Sequence, residues 1–150
     1  MTLRVTSLAS GSSGNALLLQ TSSAALLVDC GLTQRAIERQ LRYAGLQPGD
    51  LAAILLTHEH GDHALSAVPF SRRYSIPLVV NEPTAAALRL LSQGVAFRIL
   101  PTGGMAEIAG LVVRSFPVPH DAAEPVGYTI QAEGWCVGVA IDMGSWDAAV

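Results

Sequence analysis

Lysine is missing from this sequence, and all nine of its basic residues are arginines. Charged residues of any kind make up only 14% of the chain, and the formal net charge is −3. A broad basic surface that would bind a nucleic acid backbone is therefore not expected. A local basic patch is still compatible with this composition. Half of the residues are hydrophobic, which is typical of a folded globular domain rather than a disordered chain.

Cysteine is also scarce, with only Cys30 and Cys136 in 150 residues. Two cysteines do not make a disulfide framework, so we expect each to be a small apolar core residue in a reducing compartment. The N-terminus lacks a charged region followed by an apolar one, and the longest apolar runs, such as residues 51–56, are too short to cross a bilayer. A cytoplasmic protein without a membrane partner is therefore expected.

Short apolar runs bounded by glycine, proline and polar residues predict most of the chain to be strands, opening with a β-meander. Strands are predicted at residues 3–8, 16–20, 24–29, 51–56, 77–80, 111–116, 126–131 and 135–141. Helices are predicted at residues 34–43, with Thr33 as N-cap, and at 64–74 and 83–92. A tight hairpin turn is predicted at Glu133-Gly134. This mixture indicates an α/β or α+β layered fold.

Residues 58–63, with the sequence His-Glu-His-Gly-Asp-His, directly follow the strand predicted at 51–56. They contain three of the four histidines of the chain. His58 and His60 are two residues apart, so in an extended backbone their side chains point the same way and Glu59 points away from them. This spacing indicates a pair of metal ligands.

The second half of the same motif supplies a different pair of ligands. Gly61 permits a tight turn, after which Asp62 and His63 open the following helix. The two pairs can therefore converge from different directions on neighbouring metal ions. Imidazole nitrogens and carboxylate oxygens suit zinc, manganese or iron, and the histidine-rich set favours zinc.

Three further residues are candidates for the same centre. His120 is the only other histidine and follows a predicted strand, so we expect it to supply a third imidazole. Asp142 comes just after the strand predicted at 135–141, where a carboxylate either caps a turn or, beside a cation, bridges two metals. Asp29 lies at another strand end and either caps a turn or orients a ligand imidazole from behind.

Several segments resemble the metallo-β-lactamase fold superfamily, and within it the YycJ/WalJ-like branch. Thr-His-Glu-His-Gly-Asp-His at residues 57–63 matches the H-x-H-x-D-H motif of the superfamily. Residues 7–15, 28–32, 119–127 and 141–144 look like the corresponding segments of the branch. The resemblance covers essentially the whole chain.

The resemblance implies an α+β fold, the four-layer αββα sandwich, with a dinuclear metal site at one edge of its two sheets. It implies two divalent cofactor ions, for which Zn²⁺ is our first expectation and Mn²⁺ our second. One ion would be held by His58, His60 and His120, the other by Asp62 and His63, with Asp142 bridging the two. Members of the branch look like DNA exonucleases or related phosphodiesterases, so the expected partner is DNA or a small phosphodiester.

The implied mechanism is hydrolysis by a hydroxide that bridges the two metals, since metal binding lowers the pKa of water from 15.7 towards about 7. Asp62 would be the catalytic residue that orients this hydroxide. Arg72 and Arg73, after the motif, either meet phosphate or are ordinary solvated arginines. Residues 11–15 either line the substrate cleft or form a plain β-turn.

The sequence departs from the family pattern at two points. Ser66 stands where the family often has glycine, and no histidine follows His120 to complete the second metal site. We therefore expect residues 1–150 to be a metallo-β-lactamase-like domain that lacks its C-terminal part, with a weaker second site. Two alternatives follow: hydrolysis of a small ester, thioester or cyclic phosphate by the same fold, and a truncated, non-catalytic metal-binding module.

Overall fold

Among the described residues, six strands form the first sheet, in the order in which they occur along the chain. They are β1 (Arg4–Ala9), β2 (Ala16–Gln20), β3 (Ala25–Val28), β4 (Leu51–Leu55), β5 (Leu78–Val80) and β6 (Phe97–Ile99). The first three pair antiparallel, which confirms the predicted meander, and β3 to β6 pair parallel. The carboxyl ends of β3 and β4 therefore lie side by side. The structure is a computed structural model that describes residues 2–132 and 134–145.

Four strands form the second sheet, in the order β10-β9-β8-β7. They are β7 (Met105–Ile108), β8 (Leu111–Pro117), β9 (Val126–Ala132) and β10 (Trp135–Val139), all paired antiparallel. Because β9 separates them, β8 and β10 run in the same direction and end at the same edge. Of the predicted Glu133-Gly134 turn, Glu133 lies outside the described residues. β6 and β7 were not predicted from the sequence as separate strands.

In the part of the chain that the structure describes, four α-helices connect these strands: α1 (Gln34–Tyr43), α2 (Gly61–Ala64), α3 (Ala67–Tyr74) and α4 (Glu82–Ala87). The bounds of α1 are as predicted, and the Thr33 side chain accepts a hydrogen bond from Ala36 N at 3.3 Å. The single helix predicted at 64–74 is wrong, because the chain breaks at Ser66 between α2 and α3. Pro69 explains the break, since proline lacks an N–H and its ring would clash with the carbonyl of Leu65 in a continuous helix.

The helix predicted at 83–92 is also interrupted. α4 ends at Ala87, Arg89 adopts a left-handed φ of 54°, and a 3-10 turn follows at Leu90–Ser92. The predicted strand at 135–141 is two residues too long, because β10 ends at Val139. These differences leave the layer assignment unchanged.

Two apolar cores hold the layers together. Along β3, Leu27 packs in the core shared with the helices, while Leu26 packs in the core between the two sheets. On β4, Ile54 and Leu55 divide in the same way. The central strands are thus buried on both faces, as their continuous apolar sequences predicted. The described residues form helix, sheet and sheet layers of an α+β sandwich.

The two cysteines occupy different environments. Cys30 is fully buried in the helix-side core, as expected, whereas Cys136 is exposed on β10, so its prediction as a core residue is wrong. Position 136 alternates with the inward-facing Val137, which places its side chain on the outer face of the sheet. Within residues 2–132 and 134–145, no helix is long and apolar enough to cross a membrane.

Candidate metal centre

The candidate site forms where four strand ends meet at one edge of the sandwich. Asp29 follows β3, and the 57–63 motif begins two residues after β4. From the second sheet, His120 lies in the loop after β8, and Asp142 comes three residues after β10. Sheet topology therefore brings together residues that are up to 113 positions apart in the sequence, counted from Asp29 to Asp142.

The first ligand group consists of His58, His60 and His120. One nitrogen from each ring lies within 4.8 Å of the others, and Nε2 of His120 is 3.3 Å from Nδ1 of His60. The His58 side chain is 1% exposed, and its Nε2 atom has no hydrogen-bond partner among the described residues. A buried, unpaired imidazole nitrogen facing two other imidazoles is the arrangement that a bound cation would satisfy.

The second ligand group consists of His58, His63 and Asp142, again within 4.8 Å of one another. The Asp142 Oδ2 atom is 2.7 Å from His63 Nε2 and 3.8 Å from Nε2 of both His58 and His120. The Asp142 carboxylate therefore lies between the two groups. Asp62 is adjacent, with its Oδ2 atom 3.4 Å from His63 Nε2.

Asp29 lies behind this cluster and is fully buried. One of its oxygens accepts a hydrogen bond from Thr57 N at 2.8 Å, and the other contacts Thr57 Oγ1 at 2.8 Å and His63 Nδ1 at 2.7 Å. Of the two roles considered from the sequence, the contacts match the one that orients an imidazole, since Thr57 is 28 residues away and its bonds to Asp29 join two segments without capping a turn. The bond to Nδ1 leaves the Nε2 atom of His63 facing the site.

The electrostatics of the cluster favour a cation. Burial lowers the pKa of His58 to about 4, and the neighbouring imidazoles His63, His60 and His120 act in the same direction. His58 is therefore neutral at neutral pH and able to bind a metal.

His63 behaves in the opposite way. Burial acts to lower its pKa, but the hydrogen bond to Asp29 and the nearby carboxylates Asp142 and Asp62 raise it above the ordinary value. Burial raises the pKa of Asp29, against the lowering effect of His63 and Thr57. A proton shared within this pair offsets part of the negative charge, which a bound cation would neutralise instead.

Asn15 is a site residue that the sequence analysis did not single out. Its side-chain nitrogen lies 2.9 Å from Gly11 O, 3.4 Å from Asp62 Oδ2 and 3.2 Å from His63 Nε2. Its backbone N–H also donates to Asp62 O at 2.8 Å. The turn at residues 11–15 thus reaches the motif directly. The sequence signals for it were the predicted turn at residues 11–15, considered as a possible lining of the substrate cleft, and the resemblance of residues 7–15 to the branch.

Gly61 and Ser66 have structural roles that the sequence did not predict. Gly61 starts α2 with an ordinary φ and open space where a β-carbon would lie, so the tight turn expected there is not what requires glycine. Ser66 is buried, and its Oγ donates to Leu32 O at 2.6 Å. The hydroxyl therefore links α2–α3 to the segment after β3.

The two arginines after the motif contact other parts of the protein. Arg72 Nη2 reaches Gln93 Oε1 at 3.3 Å, and Arg73 pairs with Glu38 at 3.0 Å. Both contacts lie on the helical layer. These contacts do not support the possibility that Arg72 or Arg73 binds phosphate.

One cavity lies away from the chemistry. It has a volume of about 450 Å³ and is mainly apolar, between α4 and β6. A smaller open groove of about 290 Å³ runs between β1 and β10, lined among others by Ser7, Asn15 and Ile141. Asn15 joins the smaller groove to the histidine cluster, because its side chain lines the groove and contacts His63.

Comparisons with known proteins agree with this architecture. The chain is 36% identical over 147 residues to exodeoxyribonuclease YycJ of Bacillus anthracis, covering 96% of this chain and 56% of that protein. It is 36% identical over 142 residues to exodeoxyribonuclease WalJ of Streptococcus pneumoniae, covering 91% and 53%. The chain thus spans about half the length of these curated relatives.

Solved structures show the same fold at low sequence identity. The metallo-β-lactamase fold protein YhfI from Bacillus subtilis superposes with a TM-score of 0.74 at 16% identity, covering 92% of this chain and 62% of that one. The Rm3 metallo-β-lactamase gives a TM-score of 0.72 at 18% identity, covering 95% and 62%. The sequence profile of the metallo-β-lactamase superfamily matches residues 9–141. The chain therefore belongs to the metallo-β-lactamase superfamily.

Proposed function

We propose that this chain is part of a metal-dependent hydrolase, a phosphodiesterase that acts as a DNA exonuclease. The observation that carries the proposal is the convergence of all four histidines of the chain with Asp142 at one edge of the sandwich. The similarity to two exodeoxyribonucleases over more than 90% of this chain supports DNA as the substrate. We place residues 1–150 within one metallo-β-lactamase-like domain of a cytoplasmic protein.

The donor set fits two divalent ions, with Zn²⁺ preferred over Mn²⁺ because imidazoles dominate. In our assignment, His58, His60 and His120 would hold one ion, and Asp62 and His63 would hold the other. Asp142 would be the ligand shared by the two, because its Oδ2 atom lies 2.7 Å from His63 Nε2 and 3.8 Å from Nε2 of both His58 and His120. The unpaired Nε2 atom of buried His58 is the strongest single argument for an ion.

The ions would supply a hydrolytic nucleophile at neutral pH and stabilise charge on the phosphoryl oxygens. Asp62, whose side chain is 31% exposed, would accept a hydrogen bond from the attacking water and so orient it. Asn15 holds the Asp62 carboxylate, and Asp29 holds His63 with its Nε2 atom towards the site. These contacts preorganise the site before substrate binds.

A second candidate is hydrolysis of a small ester, thioester or cyclic phosphate. The observation that favours it is the groove beside Asn15: none of the described residues that line it is basic, and the chain carries a net charge of −3. Strong binding of a long polyanion ordinarily relies on arginine and lysine contacts. A third candidate is a non-catalytic metal-binding module.

The deciding experiment is a substrate panel with added Zn²⁺ or Mn²⁺, using single- and double-stranded DNA, a cyclic phosphodiester and a thioester. We expect DNA degradation from an end, lost in His60→Ala and Asp62→Ala and retained in Asp121→Asn, which changes an exposed carboxylate in the His120 loop. Turnover of the small substrates alone would favour the second candidate. Two bound ions per chain would favour an enzyme. One bound ion or none would favour the non-catalytic metal-binding module.

A further inference from the structure

The carboxylate of Glu59 contacts the loop that carries His120. Its Oε1 atom accepts a hydrogen bond from Ala123 N at 2.8 Å, although the two residues are 64 positions apart. Its Oε2 atom is buried and has no hydrogen-bond partner among the described residues. The carboxylate would be better solvated if the side chain turned towards water. The side chain instead remains against the loop, held by one charge-assisted hydrogen bond.

The position of Glu59 in the motif connects this contact to the ligand group. Glu59 lies between His58 and His60, and strand-like alternation points its side chain away from both. That direction faces the loop at residues 118–125. Residues 58–60 therefore present the imidazoles of His58 and His60 on one side. On the other side, Glu59 binds the loop that carries His120.

The rest of the loop is attached mainly at its ends. Val118 N donates to Pro125 O at 3.1 Å, Gly144 N donates to Pro119 O at 2.5 Å, and Asn81 Nδ2 donates to Glu124 O at 2.7 Å. Ala123 is exposed and lies three residues after His120, with a backbone bond from Ala122 N to His120 O between them. Two described side-chain contacts therefore join the motif to the middle of the loop: the His60 ring meets the His120 ring at 3.3 Å, and the Glu59 carboxylate binds the loop backbone at Ala123.

We propose that Glu59 is a positioning residue, which holds the loop 118–125 so that His120 completes the ligand group with His58 and His60. This inference rests on the proposed metal site and adds a residue to it. Glu59 touches neither substrate nor ion in this role. Its effect on metal affinity is transmitted through the Ala123 amide, the turn at Ala122 and the backbone of His120.

The test compares Glu59→Ala with Glu59→Gln, whose amide oxygen can still accept from Ala123 N. Glu124→Ala is the matched control, since it removes a carboxylate from the same loop and the Glu124 side chain makes no hydrogen bond within the described residues. Amide hydrogen exchange at Ala123 is measured in metal-free protein. Zinc affinity is measured by competition with a chelator.

We expect faster exchange at Ala123 in Glu59→Ala, and a loss of roughly 10- to 100-fold in affinity for the more tightly bound zinc ion, the size typical of residues that orient ligands. Glu59→Gln and Glu124→Ala should stay close to wild type in both measurements. Unchanged exchange, or normal zinc affinity despite faster exchange, would overturn the inference. Wild-type protein that binds no zinc would overturn the proposed function, and the role of Glu59 with it.

Discussion

Gly31 packs directly against the backbone of Asp62, and a β-carbon at position 31 would overlap the Asp62 carbonyl oxygen. That oxygen also accepts a hydrogen bond from Asn15 N at 2.8 Å, and Gly31 N donates to Asn15 O at 2.9 Å. Three segments therefore meet at backbone distance beneath the motif. Gly31 has no positive φ, so the close approach, and not an unusual backbone conformation, requires glycine there.

Replacing Gly31 with alanine should displace Asp62 and weaken the second metal site. Overpacking of this kind typically costs about 1–3 kcal/mol of stability. Gly61→Ala is the control within the same motif, because position 61 has open space and an ordinary φ. Thermal unfolding and zinc titration check both variants. A Gly31→Ala protein with wild-type stability and zinc stoichiometry would contradict the close packing described above.

Replacing Asp29 with asparagine should disturb the tautomer of His63. If the new amide nitrogen faces Nδ1, the imidazole must carry its proton on Nε2, the atom that faces the site. We expect the affinity for the second zinc ion to fall by about 10- to 100-fold. Asp121→Asn, at an exposed carboxylate, should have no such effect. The measurement is zinc stoichiometry over a range of buffered zinc concentrations, together with the ¹⁵N shifts of the His63 ring.

Replacing Asn15 with alanine should release both the 11–15 turn and the Asp62 carboxylate. Losing the hydrogen bonds of one buried amide typically costs about 1–3 kcal/mol. We therefore expect a lower melting temperature and weaker binding of the second zinc ion. Ser12→Ala changes an exposed side chain of the same turn and is the control. Equal zinc affinities in these two variants would remove Asn15 from the site.

The stability of the metal-free protein should depend on pH through His58. Its pKa is about 4 in the folded protein, against an ordinary value of 6.5, so between these values the unfolded chain binds a proton that the folded protein does not. The free energy of unfolding should therefore fall as the pH drops from 6.5 towards 4. For a fully buried group the loss amounts to about 3 kcal/mol.

Urea unfolding in chelator, compared between wild type and His58→Gln, isolates this contribution. The raised pKa of His63 has the opposite sign: its contribution is complete below pH 6.5 and is lost as the pH rises through the folded-state pKa. Because of His58, the free energy of unfolding of the wild type minus that of His58→Gln should decrease as the pH falls. A difference that stays constant from pH 7 to pH 4.5 would show that His58 is not held neutral by the fold.

Local features of the fold could be predicted from the sequence because they depend on neighbouring residues. The bounds of α1 follow from the Thr33 cap and helical spacing, and the central strands from continuous apolar runs. The candidate ligands could be named because the motif at 58–63 has a rare residue pattern. The break at Ser66 could also have been predicted locally, from Pro69.

The contacts around the ligands were decided only by the tertiary structure. Asp29 and His63 are 34 residues apart, Asn15 and Asp62 are 47 apart, and Glu59 and Ala123 are 64 apart. No local pattern links such pairs, since each depends on which strands are neighbours and in what register they pair. The sequence alone determines which side chains are able to bind a metal. The sheets determine which of them meet and what holds them, because strand pairing sets the distances between residues far apart in the chain.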